Sequence, residues 1–572
     1  MSIARPQIRR RSPANTMQST TVRQFEGGLN VADSDLNMEP RFARVLDNVE
    51  RAADGSLAVR PGTRLFANFT TDTSDIVNIY YFNSYIIAVQ YSGNISRVAA
   101  DGTVTPMYLP STSTPPWPPG SVIVTFTIFN SDLIICNGRN KPLIIPGNPN
   151  NPLYMTLQYL QDLATLSNIN TPIGKFVVAH AQYLCIAGVE TSPSTLYISS
   201  RGTSGTFQGD PPPNDSISLD LGSRISLGSS AITGLVAYRD KLIVTFERGV
   251  LPLNLGVYTG DPETHAPTDD GFIEEFGCLA HRSLVSIGDD TFFCDNVGVN
   301  SIERIAMFNT LRPQRASYLI DPDIIDKLEH LTPNQITEYV FAVYDMRNKR
   351  YMLFVPVFDD DDNLIETIGY SYTDMPLLKV KAWARLRGWT WRCATRTQLQ
   401  NVIFGNGAKL YSYNYDGVHA SGSDETGVVA DFVDDTDYEP DGQGIPVDFT
   451  WEMPWADFNR RMMSKQTKYI HIETTGRGVF TVDMYADRVT TDVDGNDAPL
   501  LSMDMVAGDS GGYGVGPWGS SPYGGGRVAK SEMLQPWPAK FNLAKFKFSG
   551  STTMPIRFIS ITLQYQRASI RR

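Results

Sequence analysis

The chain has 572 residues, 42% hydrophobic and 11% aromatic, so it is long enough to form more than one buried core. A formal net charge of −12 argues against a surface that grips nucleic acid by neutralising phosphates. No run of about eighteen apolar residues is present, which argues against a membrane-spanning helix. Abundant β-branched and aromatic residues, with 46 glycines and 36 prolines, predict a mainly β protein.

Residues 1–24 form a basic N-terminal arm. Its arginines cluster at Arg5, Arg9, Arg10 and Arg11. Such a cluster is typical of a solvated chain end, and it could also dock on an acidic neighbour or on DNA. The first thirty residues lack the apolar core of a signal peptide. Five cysteines, an odd number without a CxxC pair, indicate folding in a reducing cytosol.

Residues 25–70 contain a predicted hairpin. In NVERAADGSLAVRPG, residues 48–62, two short alternating runs flank Asp54-Gly55, and the stretch ends at a proline and a glycine. An Asp-Gly pair between such runs favours a tight turn, because glycine accepts the positive φ that the turn needs.

Residues 71–416 repeat one local pattern, a polar turn followed by a short apolar strand. The occurrences begin at residues 82, 129, 180, 238, 287, 347 and 397, as in FNSYIIAV, FNSDLIIC and HAQYLCIA. Their spacing lies close to the roughly 40–50 residues of a propeller blade. We therefore predict a β-propeller-like ring of six to eight blades, the alternative being unrelated hairpins. The hairpin segment 25–70 is placed to close this ring or to dock on it.

The C-terminal third has a different composition. Residues 417–445 are acidic and glycine-rich and predict a linker or long loop. Residues 446–572 contain strands with period-two alternation, which predict an antiparallel β-sandwich. Within it, the glycine-rich loop 508–526 carries Tyr513, Trp518 and Tyr523. This loop is expected to be either mobile on the surface or ordered by contact with a neighbouring subunit or tail component.

A search for chemistry identifies no catalytic, cofactor-binding or metal-binding residue. The six histidines lack metal-ligand spacing, and no nucleophile elbow or phosphate loop is present. The run Asp359–Asn363 is most simply a solvated hairpin tip. Residues 383–396, WARLRGWTWRCATR, interleave tryptophan with arginine, which is compatible with a base-stacking platform. Strand alternation offers a plainer account, in which Trp389 and Trp391 pack between blades.

Two segments resemble the tail nozzle proteins of short-tailed bacteriophages, the family of tail tubular protein B and the packaged-DNA stabilisation proteins. The first is FEGGLN, residues 25–30, followed by DNVERAADGSLAVRPGT, residues 47–63. The residues that carry this match are Phe25, Gly27, Gly28, Leu29, Asn30, Asn48, Arg60, Pro61 and Gly62. The second lies within residues 450–490, where a tryptophan-containing loop precedes a lysine-bearing strand and a glycine turn.

The resemblance implies a non-enzymatic virion protein without a cofactor. Six copies of it would form a homohexameric tube below the head-to-tail adaptor, with genomic DNA as non-specific cargo during ejection and with a part in retaining that DNA beforehand. It would assemble in the bacterial cytoplasm, reside in the virion tail without stable membrane insertion, and contact the adaptor and a tail fibre or spike. The basic arm and the loop 508–526 are the expected docking elements.

Two other functions remain open for a propeller. One is a glycan-binding or glycan-cleaving protein, such as a receptor-binding spike or a sialidase-like enzyme. The repeated Ser-x-Asp-x-Gly-x-Thr-Trp boxes and the convergent arginine set expected of a sialidase are not evident in the sequence. The other is a WD-repeat-like scaffold, although regular Gly-His and Trp-Asp pairs are missing.

Overall fold

The computed structural model describes residues 17–22, 25, 27–52, 55–110, 114–120, 122–160, 171–207, 216–224, 231–256, 267–269, 271–274, 276–287, 290–305, 310–375, 380–413, 444–457, 464–476, 478–487, 490–491, 497–507, 530–534 and 540–567. The chain divides into two compact units. Met1–Arg60 and Pro446–Arg572 together form the first, here called the sandwich unit, and Pro61–Ile445 forms the second, here called the propeller unit. Both are built mainly from antiparallel strands, which confirms the predicted mainly β class.

The described part of the propeller unit contains seven consecutive antiparallel sheets, here called blades 1–7. Blade 1 comprises Ile76–Phe82, Tyr85–Gln90, Ile95–Val98 and Val104–Met107. Blade 2 comprises Thr125–Phe129, Asp132–Cys136, Leu143–Ile145 and Gln158–Tyr159. Blade 3 comprises Phe176–His180, Tyr183–Ala187, Thr195–Ile198 and Ile217–Asp220. Blade 4 comprises Ile232–Tyr238, Lys241–Phe246, Gly249–Asn254, Thr268–Asp269 and Ile273–Glu274. Blade 5 comprises Val285–Ile287, Asp290–Cys294, Val299–Ile305 and Thr310–Arg315. Blade 6 comprises Phe341–Asp345, Arg350–Phe358, Leu364–Met375 and Val380–Leu386. Blade 7 comprises Cys393–Arg396, Val402–Asn406, Lys409–Tyr413 and Thr63–Asn68.

Each repeat found in the sequence marks the hairpin between the first and second strands of one blade. In blade 1 this turn is formed by Asn83 and Ser84, at φ 47° and 68°, and in blade 3 by Ala181 and Gln182, at φ 48° and 68°. Positive φ at both central residues gives a two-residue turn whose twist matches that of the flanking strands. The prediction of six to eight blades is confirmed, because the seven repeats correspond to seven blades within the described residues.

The blades form a closed ring around their first strands. The first strands of blades 2 to 7 contact one another in order, and Cys393–Arg396 of blade 7 contacts Ile76–Phe82 of blade 1. Between blades 1 and 2, Asn78 Nδ2 donates to the carbonyl of Val124 at 2.7 Å, and the ring of Tyr80 stacks on that of Phe126 with centroids 5.4 Å apart. These contacts define a β-propeller with an axial channel lined by the first strands.

The ring is closed by a strand within the segment 25–70, although this strand follows the hairpin 48–62 that was expected to supply it. Thr63–Asn68 pairs with Lys409–Tyr413 and is the fourth strand of blade 7. The hairpin Val49–Arg51 and Leu57–Val59 instead pairs with Ile556–Arg567 in the sandwich unit. Its strands have three residues each and their apolar side chains are buried there, whereas Thr63–Asn68 is long enough to span Lys409–Tyr413.

Apolar side chains fill the space between neighbouring blades. Blades 7 and 1 share a buried cluster that includes Ala67, Ile76, Ile403 and Leu410. Blades 6 and 7 share one that includes Phe354, Trp389, Trp391 and Phe404, in which the rings of Trp391 and Phe404 stack with centroids 5.2 Å apart. The tryptophans of residues 383–396 are thus buried, which confirms that they pack within the fold and are not exposed for base stacking.

Two α-helices are described, both between blades 5 and 6: α1 (Asp321–Glu329) and α2 (Pro333–Tyr339). Two short 3-10 helices are also described, at Gly222–Arg224 and His281–Ser283. Helix α2 begins with a capping box, in which Thr332 accepts from the backbone N–H of Gln335 while Gln335 accepts from that of Thr332. None of the described helices is long and apolar enough to cross a membrane.

The sandwich unit packs two antiparallel sheets face to face. One contains Gln18–Val22, Val49–Arg51, Leu57–Val59, Lys465–Gly476, Lys530–Leu534, Lys540–Phe541 and Ile556–Arg567. The other contains Val45–Asp47, Val447–Glu452, Gly478–Ala486, Leu501–Ala507 and Ala544–Thr552. Two short pairs accompany them, Gly28–Leu29 with Phe42–Ala43 and Thr490–Thr491 with Asp497–Ala498. Phe558 of the first sheet contacts Trp451 and Phe480 of the second at centroid distances of 5.4 and 5.2 Å, which confirms the predicted sandwich.

Candidate functional site

The N-terminal residues that carry the family resemblance lie together in the sandwich unit. Phe25 is buried and meets the ring of Trp451 edge to face, with centroids 4.8 Å apart. Gly28 has φ 68°, a conformation that glycine adopts without steric cost. A Cβ on Gly27 would lie only 2.3 Å from Cδ1 of Phe42. The motif therefore has a structural part here, because it packs the first segment of the chain onto a strand more than four hundred residues later.

Asn48 and Arg60 bracket the hairpin of this unit. Asn48 has φ 56° and donates from Nδ2 to the carbonyl of Asp448 at 2.7 Å. Its Oδ1 accepts from Nε of the buried Arg60 at 2.9 Å. Pro61 and Gly62 follow at the start of the propeller unit and lead directly into its closing strand.

Several predicted contact residues lie outside the described residues. They are Arg5, Arg9, Arg10 and Arg11 of the basic arm, and Tyr513, Trp518 and Tyr523 of the glycine-rich loop. The same holds for residues 414–443, which include nearly all of the predicted linker.

The propeller has a charged rim at one end of its axial channel. Neighbouring first strands begin side by side at this end, as shown by the Thr125 hydroxyl donating to the carbonyl of Lys175 at 2.8 Å. Six of the charged residues at this end are here called the channel mouth: Asp75, Arg139, Lys175, Arg282, Glu338 and Arg392. Arg139 belongs to this end because it follows the second strand of blade 2, which runs antiparallel to the first.

Arg282 fixes the backbone of two other mouth residues. Its Nη1 donates to the carbonyl of Glu338 at 2.7 Å, and its Nη2 to the carbonyl of Arg392 at 2.5 Å. Its guanidinium lies over the ring of Phe341, 5.3 Å from the ring centroid. A planar group with fixed N–H directions is suited to joining two carbonyls in this way. Arg282 of blade 5 thereby sets the relative positions of the residues that precede blades 6 and 7.

Glu338 is the carboxylate that lies among the mouth arginines. Partial burial raises its pKa, and the positive charges of Arg139 and Arg392 oppose that rise. Among the described residues its side chain makes no hydrogen bond or ion pair. Glu338 is half-buried, so its carboxylate remains accessible as a hydrogen-bond acceptor among these positive charges.

The arginines of the channel mouth use only some of their side-chain N–H groups in contacts with other described residues. Arg392 forms an ion pair with Asp75 at 2.6 Å and lies over the ring of Tyr339. Arg139 donates from Nη1 to the carbonyl of Gly120 at 2.6 Å. Within the described part of the chain, their other side-chain N–H groups have no hydrogen-bond partner. Lys175 adds a further positive charge, and a Cβ on Gly138 would come within 2.3 Å of its Cγ, so its stem packs close to Arg139.

His281, beside the mouth, is a neutral aromatic group in this fold. Its ring contacts that of Phe176 at 4.7 Å, and its buried Nδ1 finds no hydrogen-bond partner among the described residues. Burial, and secondarily the charge of Arg282, lower its pKa to about 4. The search of the described residues finds no group of three or more histidine, cysteine or carboxylate side chains that could hold a metal ion.

Sequence reasoning did not identify the channel mouth. Its residues come from blades 1, 2, 3, 5, 6 and 7, so no motif spacing connects them. The available signal was positional, because Asp75, Lys175 and Arg392 each immediately precede the first strand of a blade. If the seven repeats were aligned on the residue that precedes each first strand, these three charged residues would fall in the same column.

Comparisons with known proteins find no relative by sequence. No protein-family model and no curated protein matches the chain. Among solved structures, it is similar to a streptogramin B lyase, with a TM-score of 0.35 and 10% identity over 62% of this chain and 97% of that one. It is also similar to the WD40 β-propeller domain of Doa1, with a TM-score of 0.31 and 9% identity over 62% and 96% of the two chains. The propeller assignment itself depends on the strand pairing described above.

Proposed function

We propose that this protein is a structural component of the tail of a short-tailed bacteriophage, an oligomeric nozzle below the head-to-tail adaptor. In this proposal six copies enclose a conduit for the genome, and each propeller unit is a rigid building block in its wall. The protein has no catalytic role. It acts by holding the conduit open during ejection and by helping to retain DNA before infection.

The proposal depends on one observation: the two segments that resemble tail nozzle proteins meet in the same structural unit. Phe25 and Asn48 come from the first, and both bond or pack against strand Val447–Glu452, which leads into the second segment at residue 450. Segments that lie about four hundred residues apart in sequence therefore form one sandwich unit. Such an arrangement is expected if the nozzle-like motifs belong to a single structural module.

The charge of the chain fits the proposed conduit. A net charge of −12 repels a phosphate backbone, so DNA can pass without being held by a row of ion pairs. A ring of blades whose sheets are covered on both faces by neighbours also gives a stiff subunit, which suits a tube under load.

The proposal is tested by native mass spectrometry and negative-stain microscopy of the full chain, alone and mixed with the head-to-tail adaptor of the same phage. We expect ring-shaped particles on the adaptor with six copies of the 63.4 kDa chain. Dispersed monomers in both samples would contradict the nozzle and favour the glycan-binding propeller.

A matched pair of variants tests the docking arm separately. Deletion of residues 2–16 leaves the described strands intact and is expected to weaken adaptor binding. Replacement of Arg5, Arg9, Arg10 and Arg11 by glutamine keeps the length and removes the charge. Equal binding by both variants and the unmodified chain would remove the arm from the proposal without affecting the nozzle itself.

A further inference from the structure

The channel mouth has the features of a ligand site that the nozzle function does not explain. Five blades contribute to it through Asp75, Arg139, Arg282, Glu338 and Arg392, in a chain whose overall charge is strongly negative. Its arginines retain unused N–H groups among the described residues, and its central carboxylate has no partner there. Polar groups that converge without satisfying one another are typical of a binding site.

We propose that the channel mouth binds a small hydroxylated organic anion, a sugar acid or a sugar phosphate, with Arg139 and Arg392 holding the charged group and Glu338 a neighbouring hydroxyl. This inference goes beyond the nozzle function and does not depend on it. Carboxylate and phosphate share the geometry that a guanidinium recognises. The hydroxyl donates a hydrogen bond to the accessible Glu338 carboxylate.

Arg282 is a positioning residue in this site. It does not need to touch the ligand, because it holds the backbone carbonyls of Glu338 and Arg392 at 2.7 and 2.5 Å. The ion pair of Arg392 with Asp75, at 2.6 Å, fixes one edge of the guanidinium and leaves its other N–H groups for the ligand. The geometry is therefore set before the ligand arrives, which lowers the entropic cost of binding.

Five probes separate the contributions of charge and hydroxyl. Glucuronate and glucose 6-phosphate carry both, glucose carries hydroxyls only, and acetate and inorganic phosphate carry charge only. Titration calorimetry and ligand-observed NMR with the full chain are expected to show saturable binding of glucuronate or glucose 6-phosphate. Glucose, acetate and inorganic phosphate should bind about tenfold more weakly or not at all, since each loses one class of hydrogen bond. If glucuronate binds more tightly than glucose 6-phosphate, the preferred charged group is a carboxylate. The reverse order identifies phosphate as the preferred group.

Variants assign the binding to the mouth. Arg139→Gln and Arg392→Gln should each lower the affinity for the bound probe by about tenfold. Glu338→Gln should also lower that affinity, while leaving the affinities for acetate and inorganic phosphate unchanged. Arg392→Lys keeps a charge beside Asp75, so it serves as the test if Arg392→Gln unfolds. The control is Arg387→Gln, which removes an arginine paired with Glu366 at 2.8 Å on another part of blade 6 and should leave binding unchanged.

Three results would overturn the proposal. The first is the lack of saturable binding for both glucuronate and glucose 6-phosphate in a folded chain, as judged by thermal unfolding. The second is equal affinity for glucose, which would mean that the arginines are not used. The third is binding that Arg139→Gln and Arg392→Lys leave unaltered, which would place the ligand elsewhere.

Discussion

Arg60 is held to Asn48 by two hydrogen bonds, one from its Nε to the Oδ1 of Asn48 and one from its backbone N–H to the Asn48 carbonyl, both 2.9 Å long. Asn48 has φ 56° and a buried side chain. The pair closes the base of the hairpin in the sandwich unit. It also explains in physical terms why asparagine and arginine occupy these positions of the motif.

Replacement of Asn48 by alanine should destabilise the sandwich unit by about 3 kcal/mol, because alanine resists positive φ and removes the Oδ1 acceptor of the buried Arg60 Nε. Asn48→Gly removes the same hydrogen bonds but accepts the backbone conformation, so it should cost about 1 kcal/mol less than Asn48→Ala. Urea denaturation of the full chain measures both. Equal losses in the two variants would show that the backbone conformation contributes nothing.

Closure of the ring by Thr63–Asn68 can be trapped with a disulfide. Arg64 and Ser412 are direct cross-strand partners, so the double variant Arg64→Cys, Ser412→Cys should cross-link on oxidation and raise stability by about 3 kcal/mol. Non-reducing electrophoresis and thermal unfolding measure the two effects. The native cysteines are all buried and free, so they should not compete.

The control for this experiment is the pair Arg64→Cys, Lys409→Cys. Lys409 is opposite Asn68, which places it four residues, or about 13 Å, along the strand from Arg64. This pair should stay reduced under the same conditions. Cross-linking of both pairs, or of neither, would contradict the strand register.

Ala181→Gly should stabilise the propeller unit by about 0.5 kcal/mol. Ala181 is exposed at φ 48° in the turn of blade 3, so its Cβ contributes backbone strain and little burial. Ala179→Gly, in the preceding strand, is the matched control and should destabilise by about 0.5–1 kcal/mol because its backbone conformation needs no glycine. Thermal unfolding of the two variants should shift in opposite directions, and a shared downward shift would contradict the predicted turn strain.

Stability of the propeller unit should fall as the pH drops from about 6.5 towards 4. The pKa of His281 is lowered in the folded protein, by burial first and by Arg282 second, so the unfolded chain takes up a proton that the folded ring does not. Above the unfolded pKa both states are neutral and the effect vanishes. Because the ring is partly accessible to solvent, the loss should be no more than about 2 kcal/mol.

Comparison of the unmodified chain with His281→Gln isolates this contribution. The difference in unfolding free energy between them should change with pH in that window, in favour of the variant at the acid end. His330→Gln, the same substitution at an exposed position after α1, is measured alongside it for comparison. A constant offset for His281→Gln would mean that the histidine does not titrate differently in the two states.

The parts of the fold that the sequence predicted are those encoded locally. In blades 1 and 2 the first two strands are joined by the two-residue turns Asn83-Ser84 and Asn130-Ser131, whose polar residues tolerate positive φ, and an apolar strand follows at once. Recurrence of that signal was sufficient to predict the ring and its approximate blade number. Alternation in residues 446–572 was likewise sufficient to predict a sandwich.

The missed features all depend on residues distant in the chain. Thr63–Asn68 has no local signal that identifies Lys409–Tyr413 as its partner, so the neighbouring hairpin was chosen instead. The sandwich unit draws on both ends of the chain, which alternation within one segment does not reveal. At the channel mouth, Glu338 and Arg139 approach each other only because the blades curve into a ring.

The strand that closes blade 7 has a consequence for biosynthesis. Asn68 must wait for Lys409, more than 340 residues later, before it can form its ladder, so ring closure comes late during translation. Until then the ribosome-bound chain exposes unpaired strand edges at blades 1 and 7, where premature association with other nascent copies is favoured. A chain truncated before residue 409 should therefore be captured by chaperones or aggregate, which makes blade 7 a checkpoint on completion of the propeller unit.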